Sequence, residues 1–128
     1  MIESPLILLV DDFEDTRTMY SRMLSFQGFR VIEAADGEAA VELAQTALPD
    51  LVVMDLGLPK IDGWEATRRL KADVRTHDIP ILALTGYTRD ESVRRAKAAG
   101  CDALFTKPCS PDTLVAKIRE MLTSRAIS

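Results

Sequence analysis

The sequence predicts a doubly wound α/β sandwich, in which five parallel strands are covered by five helices, on three observations. Short β-branched or aliphatic runs alternate with stretches whose apolar residues recur at helical spacing. Polar or glycine-rich residues end each short run. The first, third and fourth runs are continuously apolar, which is typical of strands buried on both faces of a parallel sheet. We expect a single domain over residues 1–128, with a core at about 5–123, because 128 residues is close to the commonest domain size.

The predicted strands are the five short apolar runs. They are Leu6–Val10, Arg30–Ala34, Leu51–Met54, Ile81–Leu84 and Ala103–Thr106.

Capping residues mark the ends of the predicted helices. Glycine stops the first and fourth helices, at Gly28 and Gly100, because glycine readily adopts the left-handed conformation of a C-terminal cap. An N-terminal cap begins the second and fifth helices, at Asp36 and Ser110, and the third helix follows Asp62. The side chains expected to face the core are Met19, Tyr20, Met23 and Leu24 in helix 1, Ala40, Leu43, Ala44 and Ala47 in helix 2, Trp64, Thr67 and Leu70 in helix 3, Val93 and Ala96 in helix 4, and Leu114, Val115, Ile118, Met121 and Leu122 in helix 5.

Composition argues against several classes of function. Sixteen Lys and Arg against twenty Asp and Glu give a net charge of −4, without the basic surplus that nucleic-acid binding needs. The longest apolar run, Leu6–Val10, is too short to span a bilayer, and Glu3 stands where a signal peptide has a basic flank. The two cysteines form no Cys-x-x-Cys pair, so both are expected to be reduced thiols. These features predict a cytoplasmic protein that binds neither nucleic acid nor membrane.

Polar residues that could bind a ligand or take part in catalysis stand at the carboxyl ends of four predicted strands. They are Asp11 and Asp12 after strand 1, Asp55 after strand 3, Thr85 after strand 4, and Lys107, followed by Pro108, after strand 5. In open parallel sheets this edge is where ligands bind. Three carboxylates at one edge repel each other unless a cation is bound there or a lysine lies close by. An all-oxygen cluster suits Mg2+, which takes one or two carboxylates and completes its shell with water and phosphate oxygens.

Each of these residues also has an ordinary structural interpretation. Asp12 could be a helix N-cap, Thr85 a strand residue and Lys107 a solvated surface charge. Asp55 is harder to explain in this way, because it directly follows a buried run and no helix starts immediately after it. Their joint placement at four strand ends favours a functional site.

The arrangement of these segments resembles the receiver domains of two-component response regulators over nearly the whole chain. The matching segments are the Asp11–Asp12 pair, Met54–Pro59, Ile61–Gly63, Ile79–Gly86, Gly100–Ala103 and Thr106–Pro108. Each segment is weak evidence alone, whereas all of them in this order and spacing are highly specific. The resemblance implies a flavodoxin-like strand order, 2-1-3-4-5.

The resemblance also implies a role for each site residue. Asp55 would accept a phosphoryl group from a histidine kinase or a phosphotransfer protein. Asp11 and Asp12 would hold Mg2+ together with Asp55 and the backbone carbonyl of Gly57. The phosphoryl oxygens would be bound by Thr85 and Lys107, and the Lys107–Pro108 peptide would be cis.

The implied activity is signalling rather than turnover of a metabolite. The domain would catalyse only its own phosphorylation and slow dephosphorylation, and it resembles a stand-alone receiver. On phosphorylation its helix 4, strand 5 and helix 5 surface would change and be recognised by a downstream protein.

Three positions bear on the switch and on the rate of dephosphorylation. Many relatives have an aromatic residue where this chain has Leu104, and the adjacent Phe105 is expected to point to the opposite side of the strand. Gly57 would leave the path of water to Asp55 open, whereas the ring of Tyr87 would partly shield it.

Two other functions are compatible with this fold class. A phosphorylation-independent interaction module is disfavoured by the intact set of site residues. A magnesium-dependent phosphatase or a nucleotide-binding enzyme is disfavoured because the sequence has no Gly-x-x-x-x-Gly-Lys-[Ser/Thr] loop, no Gly-x-Gly-x-x-Gly turn and no Asp-x-Asp nucleophile motif.

Overall fold

The computed structural model of the protein describes residues 4–56, 62–86, 90–106 and 110–127. Five strands and five helices alternate along the chain. The strands are β1 (Leu6–Val10), β2 (Arg30–Ala34), β3 (Leu51–Asp55), β4 (Ile81–Thr85) and β5 (Ala103–Thr106), and the helices are α1 (Glu14–Phe26), α2 (Gly37–Ala47), α3 (Gly63–Ala72), α4 (Asp90–Ala99) and α5 (Pro111–Ile127).

The strands form one sheet in the order β2-β1-β3-β4-β5, and all four neighbouring pairs are parallel. The predicted fold class and strand order are therefore confirmed. The central strand, β3, is buried along its whole length, and β1 is buried from Ile7 to Val10. Continuous apolar runs are required at these strands because helices cover both faces of the sheet.

Two apolar clusters, one on each face of the sheet, make up the core. On one face Ala40 and Ala44 of α2, Leu70 of α3 and Ala96 of α4 pack against the strands. On the other face α1 and α5 supply the buried side chains Tyr20, Leu24, Leu114, Val115 and Ile118. The sheet is thus the middle layer of three, with helices on both of its faces.

Two predictions of core-facing residues are wrong. Met19 is 55% exposed, because the face of α1 that meets the sheet is centred on Tyr20 and Leu24, and Met19 lies beyond its margin. Ala47 is exposed because it is the last residue of α2, one turn past the buried Ala44.

The helix caps predicted at Asp36 and Ser110 are confirmed, and Asp62 caps α3 in the same way. The Asp36 carboxylate accepts a hydrogen bond from the Ala39 N–H at 2.8 Å, and the Asp62 carboxylate accepts one from the Glu65 N–H at 2.9 Å. The Ser110 hydroxyl accepts a hydrogen bond from the Thr113 N–H at 3.2 Å. Each cap satisfies one backbone donor that a helix start leaves without an intrahelical partner. None of the helices in the described part of the chain is long and apolar enough to cross a membrane.

Candidate functional site

The parallel register brings three carboxylates together at the carboxyl edge of the sheet, the edge at which the C-terminal ends of the strands lie. Val10 of β1 is paired with Met54 of β3, so the next residues, Asp11 and Asp55, end up side by side. Asp12 follows Asp11 in the turn to α1. One oxygen from each of the three carboxylates lies within 4.8 Å of the other two. The structure therefore brings together three of the residues that the sequence nominates for a magnesium site.

Burial raises the electrostatic cost of this cluster. Asp11 is 2% exposed and Asp55 is 7% exposed, whereas Asp12 is exposed to solvent. Negative charges this close repel more strongly where protein replaces water around them. A hard divalent cation fits the donor set, because all three side chains offer oxygen ligands and the exposed side of the cluster admits water.

The turn that carries Asp11 and Asp12 is held by one backbone hydrogen bond and one hydrogen bond to the Asp11 side chain. The Asp11 N–H donates to the Ala34 carbonyl at 3.1 Å, and an Asp11 carboxylate oxygen accepts from the Phe13 N–H at 2.9 Å. Helix α1 is capped at Phe13, without a side-chain hydrogen bond. The ordinary interpretation of Asp12 as a helix N-cap is therefore wrong, which strengthens the case for a ligand role.

The start of α3 packs tightly against the backbone that carries Asp55. The Gly63 N–H donates to the Leu56 carbonyl at 3.1 Å. A Cβ atom at position 63 would lie 2.3 Å from the Asp55 carbonyl oxygen and 2.5 Å from the Leu56 Cα. Only glycine allows this approach without a shift of the backbone next to Asp55.

Replacing Gly63 with Ala is expected to lower the free energy of unfolding by about 1–3 kcal/mol, because the added methyl group overlaps backbone atoms that cannot rotate away. Urea denaturation measures this change. Gly86→Ala, at the end of the neighbouring strand, is the matched control, since apart from its chain neighbours no atom of the described residues lies within 4 Å of a Cβ at that position. Equal stability of the two variants would show that the α3 start is not tightly packed on Asp55.

The remaining predicted site residues belong to the neighbouring strand ends. Asp55 is paired with Leu84, so Thr85 is one residue further along the same edge. Thr85 is in turn paired with Thr106, the residue before Lys107. For Thr85 only the backbone is described. Four further positions that the sequence analysis assigns to the site or to the switch lie outside the described residues: Gly57, Tyr87, Lys107 and Pro108.

Adjacent residues of β5 point to opposite faces of the sheet. Leu104 packs against the cluster beneath α2, α3 and α4, whereas Phe105 packs against the cluster beneath α1 and α5. The alternation of side chains along a strand predicts this difference. The ring of Phe105 therefore does not occupy the side of the strand on which Leu104 lies.

Two side chains near the site have roles that the sequence did not reveal. The Arg95 guanidinium lies 4.0 Å from the centre of the Trp64 ring and 3.8 Å from the Asp62 carboxylate, so it joins α4 to the start of α3. Arg17 donates from Nη1 to the Asp11 carbonyl at 2.9 Å. The sequence indicates neither contact, because each depends on how separate elements pack.

The thiol of Cys101 is consistent with the expected reduced state. Its Sγ lies 3.8 Å from the Thr67 hydroxyl oxygen. Burial raises the pKa of the Cys101 thiol above its usual value, which disfavours the reactive thiolate.

Comparison with known proteins places the whole arrangement in one family. Residues 7–119 match the family model described as the response regulator receiver domain. The chain is 36% identical over 92% of its length to the DNA-binding dual master transcriptional regulator RpaA of Synechocystis, and it spans 49% of that protein. It is 30% identical over 91% of its length to the polar-differentiation response regulator DivK of Brucella anthropi, and it spans 94% of that protein.

Solved structures give the same result. A CheY-like response regulator receiver domain from Methanospirillum hungatei superposes with a TM-score of 0.91 at 27% identity, covering 97% of this chain and 98% of the other. The chemotaxis protein CheY4 of Vibrio cholerae superposes with a TM-score of 0.87 at 32% identity, covering 91% and 98% of the two chains. The chain spans about half the length of RpaA and of a second curated relative, the transcriptional regulatory protein AfsQ1 of Streptomyces coelicolor. With its fold, its acidic edge and its sequence all in agreement, the chain belongs to the receiver domains of two-component response regulators.

Proposed function

We propose that this receiver domain takes a phosphoryl group onto Asp55, from a histidine kinase or a phosphotransfer protein, in a reaction that depends on Mg2+. The observation that carries the proposal is the position of Asp55. Its carboxylate ends the buried central strand and has an oxygen within 4.8 Å of carboxylate oxygens of both Asp11 and Asp12. A carboxylate is a suitable nucleophile for phosphorus and forms an acyl phosphate.

Phosphoryl transfer depends mainly on positioning the reacting groups and on neutralising the charge of the phosphoryl oxygens. An Asp55 oxygen attacks the phosphorus in line with the donor bond. As the new oxygen–phosphorus bond forms, the nitrogen–phosphorus bond of a phosphohistidine donor breaks, and the imidazole keeps the electron pair. Bound Mg2+ would supply positive charge beside the phosphoryl oxygens, held by Asp11, Asp12, Asp55 and the backbone carbonyl of Gly57. We assign the Thr85 hydroxyl and the Lys107 ammonium to the same oxygens.

Slow self-dephosphorylation uses the same groups. A water molecule attacks the phosphorus in line with the Asp55 oxygen, and that oxygen leaves as a carboxylate. Gly57 and Tyr87, each two residues past a site residue, would tune the rate by admitting or shielding the water.

The two alternatives account less well for the acidic edge. An interaction module that is never phosphorylated has no use for three converging carboxylates, two of them nearly buried. A metal-dependent phosphatase would use the carboxylates, but the family match favours a phosphorylated signalling domain.

The experiment is incubation of the protein with a small acyl phosphate donor, followed by intact-mass measurement. The mass should rise by one phosphoryl group when Mg2+ is present and stay unchanged when a chelator is added. Unchanged mass under both conditions would favour the phosphorylation-independent module. Continuous release of inorganic phosphate from a phosphomonoester would favour the phosphatase.

We propose that phosphorylation changes the surface formed by α4, β5 and α5, and that a downstream protein recognises this surface. Phosphorylation can favour an active state only through contacts that differ between the two states, and here those contacts are assigned to Thr85 and Lys107. Leu104 is smaller than the aromatic residue of many relatives and cannot donate a hydrogen bond. The loop after Thr85 would therefore carry most of the change.

Amide hydrogen exchange tests whether the loop after Thr85 changes more than β5 does. On addition of beryllofluoride, a mimic of the phosphoryl group, protection is expected to change most between Gly86 and Asp90. Asp55→Asn, which cannot hold the mimic, serves as the control and should show no change. A larger change at Leu104 and Phe105 than in the loop would show that β5 carries the switch.

A further inference from the structure

We infer that Arg17 is a positioning residue for the proposed magnesium site, acting through the peptide bond between Asp11 and Asp12. The inference rests on the proposed function only in assuming that these carboxylates hold Mg2+. Arg17 lies in the second turn of α1 and its side chain is 18% exposed. The Nη1 group donates to the Asp11 carbonyl oxygen at 2.9 Å.

The other end of the guanidinium is anchored on a different element. Arg17 Nε donates to the Glu33 carboxylate at 3.1 Å, and the Ser21 hydroxyl donates to the second oxygen of that carboxylate at 3.3 Å. Glu33 belongs to β2 and is paired with Leu9 of β1. Arg17 therefore joins α1, the edge of the sheet and the turn after β1 in one connected set of hydrogen bonds.

The contact with Asp11 acts on Asp12. The carbonyl that Arg17 holds belongs to the peptide unit whose nitrogen is that of Asp12, and peptide units are planar. Fixing this carbonyl fixes the direction in which the chain enters Asp12, the exposed member of the cluster. On the other side of Asp12, the Asp11 carboxylate accepts a hydrogen bond from the Phe13 N–H at 2.9 Å, so Arg17 holds this turn together with the Asp11 side chain.

Groups that orient metal ligands through hydrogen bonds, without touching the metal, typically affect metal affinity 10- to 100-fold. Arg17 differs from most such groups because it is a cation near a cation site. If it acted only through its charge, its removal would reduce repulsion and tighten Mg2+ binding. If it positions Asp12, its removal weakens Mg2+ binding. The two roles thus predict opposite changes in Mg2+ affinity for the same substitution.

The test is titration of the whole chain with MgCl2, followed by NMR through the amide shifts of Asp12 and Phe13. Arg17→Gln is expected to raise the Mg2+ dissociation constant by roughly 10-fold. Arg22→Gln is the matched control, because it removes the same charge from an exposed position of the same helix and should leave the constant unchanged or slightly lower. Thermal unfolding without Mg2+ shows that each variant is folded.

Arg17→Lys keeps the charge but lacks the guanidinium fork that reaches both Asp11 and Glu33. It should also bind Mg2+ several-fold more weakly, and because the charge is unchanged the loss would come from geometry. Wild-type or tighter affinity in both Arg17 variants would overturn the inference while leaving the magnesium site in place. A wild type that does not bind Mg2+ would remove the site itself, and the inference with it.

Discussion

Replacing Asp55 with Asn is expected to abolish stable phosphorylation by a small acyl phosphate donor. The amide has nearly the shape of the carboxylate but lacks the negative charge and the nucleophilic oxygen, so no acyl phosphate forms. Intact mass after incubation with donor and Mg2+ should remain that of the unmodified variant, whereas the wild type gains one phosphoryl group.

Asp78→Asn is the matched control for this substitution. It removes one carboxylate from the exposed connection between α3 and β4, at the opposite end of β4 from the site, and should be labelled like the wild type. Stable labelling of Asp55→Asn at the wild-type level would contradict the assignment of Asp55 as the acceptor.

Mg2+ is expected to stabilise the wild type against heat and to stabilise Asp12→Ala much less. A ligand that binds only the folded state adds about 2.7 kcal/mol when its concentration is 100 times its dissociation constant. Asp12 supplies one of the three carboxylates, and its removal also relieves repulsion within the cluster. Without Mg2+, Asp12→Ala should therefore unfold at the same temperature as the wild type or at a higher one.

The control for charge is Asp15→Ala, which removes an exposed carboxylate from the first turn of α1, outside the cluster. Mg2+ should raise the unfolding temperature of Asp15→Ala by as much as it raises that of the wild type. If Asp12→Ala responded to Mg2+ as strongly as the wild type does, the ion would not be held at this edge.

The strands, the helices and the fold class were predictable from the sequence because that information is local, whereas the strand order followed only from the family resemblance. Continuous apolar runs mark strands buried on both faces, and Asp36 and Asp62 mark helix starts through the hydrogen bonds they accept. The ends of β3 and β4 were each predicted one residue short. Polar residues end the apolar runs, but Asp55 and Thr85 are still paired in the sheet with Leu84 and Thr106.

The acidic edge was also predictable, because parallel strands place their carboxyl ends together and both Asp11 and Asp55 directly follow an apolar run. The side chains that support it were not. Arg17 reaches Asp11 and Glu33, and Arg95 reaches Trp64, only once the elements have packed. Nothing in the spacing of these arginines along their helices distinguishes them from solvated neighbours such as Arg22.

Localisation of the phosphoryl group in the wild-type protein tests directly whether Asp55 is the acceptor. After phosphorylation in the presence of Mg2+, the acyl phosphate is trapped by reduction with borohydride, and the digested protein is sequenced by tandem mass spectrometry. A single modified residue, Asp55, is expected. Modification of His77, of a serine or of a threonine, with Asp55 unmodified, would contradict it.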